Sequence, residues 1–141
     1  MGWKKFTDPK KAIEYLNNVV KLQPDDYMAY FARGFTYSDL LGQHQRAIDD
    51  YNEVIRLKPD NAAAYNNRGL AYGKLDQYQR AIEDFNEAIL IKPDYAKAYA
   101  ARGIAHFMQG KNNLCCRDVH KACELGDCGA LEFTKGLGFC R

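Results

Sequence analysis

The residues of this chain best equipped for chemistry are its five cysteines. Cys115, Cys116, Cys123, Cys128 and Cys140 all fall within the last 27 of 141 residues. Three chemistries fit their spacing. On a helix running from about Asn112 to Leu125, Cys116, His120 and Cys123 stand at i, i+4 and i+7, hence on one face. Cys128 or Cys140 then completes a Cys3His tetrahedron for zinc, although the paired CxxC spacing of many zinc sites is absent. Alternatively, a tail helix over 129–136, antiparallel to its predecessor, returns Cys140 beside Cys116 and sets Cys123 and Cys128 on either side of the turn. Disulfides Cys116–Cys140 and Cys123–Cys128 then nest across one hairpin. Cys116 and Cys123 cannot pair with each other, because seven helical residues hold their Cα atoms roughly 10 Å apart. The third possibility is reduced, partly buried thiols, which the odd cysteine count favours. Under all three, Cys115 reads as a buried free thiol.

Other catalytic constellations are missing from the sequence. The single serine, Ser38, lacks a glycine-rich elbow, and His44 and His106 stand singly in helical patterns, so no nucleophilic triad is legible. The eleven glycines form no phosphate-cradling loop. The chain is expected to be non-enzymatic and to need no cofactor.

The elements that position these residues follow from a repeat. Pro24, Pro59 and Pro93 stand 35 and 34 residues apart, and so do the dipeptides beginning at Arg33, Arg68 and Arg102, each followed by glycine. Ala12-Ile13, Ala47-Ile48, Ala81-Ile82 and Cys115-Cys116 keep the same step. Within one unit, Ala64, Tyr65, Arg68, Ala71, Tyr72 and Leu75 recur at helical spacing. Asp76-Gln77 interrupts, and Tyr78, Ala81, Ile82, Phe85, Ala88 and Ile89 restart the pattern until Pro93. Each unit is therefore a hairpin of two helices that must stack on a neighbour to bury its apolar face. Asp8, with Pro9 behind it, and then Asp25, Asp60 and Asp94 are the expected N-caps. The expected organisation is one domain over 1–141: a leading segment and half repeat (1–24), repeats at 25–59, 60–93 and 94–127, and a capping helix in 128–141. Trp3 and Phe6 are the expected cover for the front helix.

Tyr65-Asn66-Asn67-Arg68-Gly69-Leu70-Ala71-Tyr72, followed by Ala81, Phe85, Ala88 and Pro93, resembles the tetratricopeptide repeat pattern, three times in phase over roughly residues 9–127. The resemblance implies an all-α fold, a right-handed α-solenoid of antiparallel hairpins. It also implies a peptide-binding groove lined by the first helices: Met28, Phe31, Phe35 and Asp39, then Asn66, Asn67, Leu70 and Lys74, then Lys97, Ala101, Ile104 and Met108. Of the family's five-residue clamp for a carboxylate-ended peptide, the chain matches Asn67 and Lys97 and has Phe31, Phe35 and Ala101 at the other three positions. Repeat one carries an extra residue, Leu41, before Gly42, and repeat two has Asp76 at the usual turn glycine. Where the family commonly has leucine, this chain has Arg33, Arg68 and Arg102. Asp50, Asp84 and Asp118 follow them by 17, 16 and 16 residues, each on the second helix of the same hairpin. Charge at a half-buried position demands a partner, so three Arg–Asp pairs within hairpins are expected. Lys121-Ala122-Cys123-Glu124-Leu125-Gly126-Asp127 also resembles the disulfide-linked Sel1-like repeats, whose partner cysteine lies where this chain has Ala130 and Leu131.

Composition narrows the function. Hydrophobic residues make up 47% and charged ones 27%, enough for a packed core and too much for disorder. No run of about 18 apolar residues offers a membrane span, and the first residues are not expected to act as a secretory leader. A net charge of +2 lacks the basic excess of a phosphate-tracking protein, which argues against nucleic acid. The expectation is a cytoplasmic interaction scaffold or adaptor for a protein or peptide. The alternatives are a self-associating module, such as a homodimer through an exposed repeat end, a fragment of a longer solenoid, or a zinc- or redox-responsive device built on the tail cysteines.

Overall fold

The computed structural model describes residues 7–141; Trp3 and Phe6 lie outside the described residues. Among the described residues there are eight α-helices, one π-helical turn and no strand. None of these helices is long and apolar enough to cross a membrane. The chain divides into two compact units, one ending at Pro59 and one running from Asp60 to Arg141.

In the first unit, α1 (Pro9–Leu22) begins at Asp8, whose carboxylate accepts the Lys10 amide at 3.0 Å. Helix α2 (Tyr27–Phe35) runs into a π-helical turn (Thr36–Leu40) and is followed by α3 (His44–Leu57). Helices α2 and α3 pack as a hairpin, with α1 against α2. Leu16, Ala29, Ala47, Ile48, Tyr51 and Val54 are buried between them. The π-helical turn accommodates the extra residue of this repeat. The Leu41 amide donates to the Thr36 carbonyl at 3.2 Å, an i to i+5 bond. The closing bond of the helix end, Gln43 amide to Tyr37 carbonyl at 2.7 Å, therefore spans one residue more than its counterparts, Gln77 to Tyr72 and Lys111 to His106. Gly42, Asp76 and Gly110 each turn left-handed at the helix end, with φ of 66°, 59° and 74°. Asp76 tolerates this conformation with a local bond, its carboxylate accepting the Tyr78 hydroxyl at 2.9 Å.

The second unit holds α4 (Ala62–Lys74), α5 (Tyr78–Ile91), α6 (Ala96–Met108), α7 (Asn112–Glu124) and α8 (Gly129–Gly136). Helices α4 and α5 form one hairpin and α6 and α7 the next; α5 packs on α6, and α8 lies against both α6 and α7. Ala81, Ile82, Phe85 and Ala105 form one core cluster, and Cys115, Val119, Leu131 and Cys140 another. Gly69 and Gly103 set how closely the paired helices approach. A Cβ on Gly69 would stand 2.7 Å from Cε1 of Phe85, and one on Gly103 would stand 2.9 Å from Cγ1 of Val119.

Three of the expected caps shift by one residue. The N-caps are Asp26, which accepts the Met28 and Ala29 amides, Asn61, which accepts the Ala64 amide, and Tyr95, which makes no side-chain cap bond. Asp25, Asp60 and Asp94 are spent in the preceding turn instead. Proline presets the first turn position, and bonds such as Asp26 amide to Gln23 carbonyl (3.1 Å) and Tyr95 amide to Lys92 carbonyl (3.0 Å) close it. The extended capping conformation then falls one residue later.

Candidate functional site

Each hairpin is clamped by one arginine. Arg33 donates to both oxygens of Asp50 at 2.9 and 2.7 Å, Arg68 to those of Asp84 at 2.8 and 2.7 Å, and Arg102 to those of Asp118 at 2.8 and 2.7 Å. The fork geometry is bidentate, the strongest form of such a pair. The carboxylates are buried and the guanidinium groups about four-fifths covered. Hydrogen bonding to the carboxylates pushes all three arginines up from their ordinary values, while burial pushes the Asp50 and Asp84 carboxyls up against the pull of their partners. Each guanidinium also lies over a tyrosine one turn back on its own helix: Tyr30 at 5.6 Å, Tyr65 at 5.6 Å and Tyr99 at 5.3 Å from the ring centroid.

Two partners of these clamps escape a reading that looks only for charge. Arg33 also donates to the Asn17 carbonyl oxygen at 3.0 Å, and Arg102 to that of Asn86 at 2.8 Å. The signal was present as Asn17, Asn52 and Asn86, spaced 35 and 34 residues apart like the arginines. A second stack, Arg46 over Tyr37 and Arg80 over Tyr72, is replaced in the third repeat, where His106 and Leu114 stand one period on. His106 Nε2 instead lies 3.8 Å from Asp118, and burial pulls the imidazole below its ordinary value.

The first-helix face of the second unit carries a pocket of about 330 Å³. Leu70 and Lys74 of α4 and Ile104 and Met108 of α6 border it, Ala81 and Phe85 of α5 line its interior, and the small residues Gly69, Gly73, Ala101 and Ala105 leave the space open. Leu70 and Met108 are 45% and 53% exposed, a large apolar surface for a helix face already packed on its other side. Lys97 is exposed on α6, and Asn67 is half-buried. Asn66 departs from expectation: it is 3% exposed, with its amide nitrogen 3.4 Å from the Asn67 side-chain oxygen. It faces the interior because its neighbour along the helix, not Asn66 itself, occupies the outer side. In the first unit, Met28, Phe35 and Asp39 are exposed, whereas Phe31 is half-buried, edge-on to Tyr51 at 5.6 Å.

Ser38 Oγ lies 2.9 Å from His44 Nδ1, a contact that ties the π-helical turn to the start of α3. At the far end of the chain, Cys116 is joined to Cys140 and Cys123 to Cys128, while Cys115 is a buried free thiol that burial pushes up. The zinc set Cys116, His120, Cys123 and Cys128 is not assembled. Its three sulfurs are bonded to other sulfurs and cannot ligate, and among the described residues no three metal-binding side chains are grouped.

Comparison with known proteins matches these features. Two family models match, a TPR repeat over residues 40–76 and a tetratricopeptide repeat over residues 62–95, and neither is catalytic. A crystal structure of MamA protein is 32% identical with a TM-score of 0.77, covering 83% of this chain. This chain spans 63% of the length of that structure. The second TPR of Spaghetti (RPAP3), solved with an HSP90 peptide, is 31% identical with a TM-score of 0.68, over 79% of this chain and 98% of that one. The first TPR domain of human RPAP3 is 27% identical with a TM-score of 0.75, over 82% of this chain and 91% of that one. No curated protein matches the chain. No Sel1-like relative is among the matches described, and the fold class is the all-helical hairpin solenoid of these structures. Repeat spacing, glycine-mediated hairpin packing and similarity to solved repeat domains agree, and the chain belongs to the tetratricopeptide repeat family.

Proposed function

We propose that the protein is an interaction scaffold that holds a peptide or protein segment against the first helices of its hairpins. The observation that carries this reading is the open apolar pocket between α4 and α6. Its volume lies at the lower end of the roughly 300–1,000 Å³ of ligand sites, space for one bulky apolar side chain. Leu70, Ile104 and Met108 make the apolar contact, Asn67 holds a peptide backbone, and Lys74 and Lys97 favour acidic neighbours. The first unit has an apolar first-helix face of its own, with Met28 and Phe35 exposed and Phe31 half-buried. The RPAP3 domains, solved with the HSP90 peptide SRMEEVD, support a peptide-binding role. That peptide itself is a poor fit here, because Phe31, Phe35 and Ala101 stand where a carboxylate clamp needs Lys, Asn and Arg.

The test is a peptide-array screen with the full chain, repeated with Ala101→Trp, which fills the pocket from within. The selected peptides should share a bulky apolar residue and lose at least tenfold in affinity for the variant, with its helical content unchanged. Equal binding by both proteins removes the pocket from the reading. Exposed Phe133 on α8 and Leu137 just past its end favour one secondary reading, association of two copies through that end. Light scattering that finds a monomer across the accessible concentration range eliminates it.

A further inference from the structure

The segment after Cys128 is held to its unit in an unusual way. Helix α8 has only eight residues, begins and ends at glycine, and buries only Leu131 and Thr134. A helix this short is marginal unless its surroundings hold it. Among the described residues, hydrogen bonding supplies no such hold. The Thr134 hydroxyl donates within its own helix, to the carbonyls of Ala130 and Leu131. Among the described residues, the backbone bonds of the segment also close on itself, from Glu132 amide to Cys128 carbonyl through to Phe139 amide to Thr134 carbonyl. Packing and one covalent bond hold it instead: Leu131 and Ala130 in the cluster with Val119, the buried Thr134, the Phe139 ring edge-on to Phe107 at 5.4 Å, and the bond from Cys140 to Cys116.

The two disulfides therefore differ in what they hold. Cys123 and Cys128 are five residues apart and staple the turn ahead of α8, whereas Cys116–Cys140 spans 24 residues and fastens the far end of the tail back onto α7. The chain reverses at Gly138 (φ 87°), and Cys140 itself stands at φ 56°, a left-handed conformation that a cysteine rarely adopts unless its surroundings impose it. We propose that Cys116–Cys140 is a redox latch: a dithiol reductant opens it, and the cap formed by α8 and the tail then leaves the α6–α7 hairpin, uncovering the apolar surface around Phe107 and Val119.

The chemistry balances as thiol–disulfide exchange. Cys116 is the more exposed partner and Cys140 the buried one. A reductant thiolate attacks the Cys116 sulfur, forming a mixed disulfide and breaking the bond to Cys140, which departs as a thiolate and takes a proton from water. The second thiol of the reductant, as thiolate, attacks its own mixed-disulfide sulfur, releasing Cys116 as a thiolate that is protonated in turn. Two electrons and two protons end on the cysteines, and the reductant leaves as a cyclic disulfide. Cys115, fully buried, takes no part.

Hydrogen exchange of the full chain, read by mass spectrometry with and without dithiothreitol, tests the latch, with alkylation reporting each cysteine's state. After equilibration in an oxidising glutathione buffer, Cys116 and Cys140 should be protected from alkylation. Reduction should speed amide exchange in 129–141 at least tenfold and leave 62–108 unchanged. Cys140→Ser should show the fast tail without reductant, while the double variant Cys123→Ser, Cys128→Ser should keep a slow tail that dithiothreitol still opens. The proposal is overturned if Cys116 and Cys140 are free thiols in the oxidised sample. It is equally overturned if the tail stays protected once both are reduced, or if the Cys123, Cys128 double variant releases it.

Discussion

Replacing Asp84 with alanine takes the counter-charge away from the Arg68 guanidinium, and the size of the loss follows from its surroundings. Arg68 keeps its stack over Tyr65 but loses both charge-assisted bonds, at 2.8 and 2.7 Å, to a carboxylate that is itself buried. Removing one partner of a buried pair costs about 3–5 kcal/mol. The guanidinium side chain is 20% exposed, so water recovers part of its hydration and the expected loss is about 2–4 kcal/mol. The double variant Arg68→Leu, Asp84→Leu leaves no charge behind. Because burying the pair costs desolvation at both ends, this variant should lie within about 1 kcal/mol of wild type or above it. Urea unfolding followed by circular dichroism, run as a double-mutant cycle with Arg68→Leu and Asp84→Leu as the single variants beside Asp84→Ala, measures both outcomes. A single variant within about 0.5 kcal/mol of wild type would refute the clamp. So would a double variant as unstable as the two single losses added together, since the pair would then not be acting as one unit.

Gly69→Ala should destabilise by about 1–3 kcal/mol by overpacking against the Phe85 ring, and Phe85→Leu in the same chain should recover part of that loss in thermal melts. Arg80→Ala, which removes an exposed stack over Tyr72, should cost no more than about 1 kcal/mol in the same melts; a loss as large as that of Asp84→Ala would contradict the ranking by burial. His106 faces Asp118, Arg102 and Lys111, and burial holds its pKa below the ordinary value of 6.5. A histidine kept neutral by the fold contributes stability that is complete above the unfolded value and is lost as pH falls through the folded one. The urea midpoint should therefore drop on acidification below about pH 6.5, and His106→Gln should flatten that part of the profile. Parallel profiles for the two proteins would show that His106 is not the responsible group.

Much of this architecture was open to a reader of the sequence because the repeat displays it several times. Arg33, Arg68 and Arg102 with Asp50, Asp84 and Asp118 were identifiable as pairs because a charge recurring in an apolar register must find its counter-charge within the same hairpin. Asn17 and Asn86 carried the same periodic signal and were missed because a polar, uncharged side chain makes no comparable demand. The capping residues were displaced by one because Pro-Asp reads equally well as a cap and as a turn, and only the closing bonds from Asp26 to Gln23 and from Tyr95 to Lys92 distinguish them.

Periodicity, proline spacing and helical patterning determined on their own that this chain forms repeated helical hairpins, since that property depends on residues near one another in sequence. Tertiary structure alone decided which side chains the faces present. Asn66 is interior and Asn67 is not, although they are adjacent. The pocket exists because Gly73 of α4 and Ala101 of α6, far apart in sequence, leave room at the same place. Among the cysteines, the pairing depends on whether the chain reverses at Gly138 and carries Cys140 back to α7. A burial or a bond that requires two distant segments to meet has no periodic trace in either segment, so it becomes visible only once the hairpins are packed.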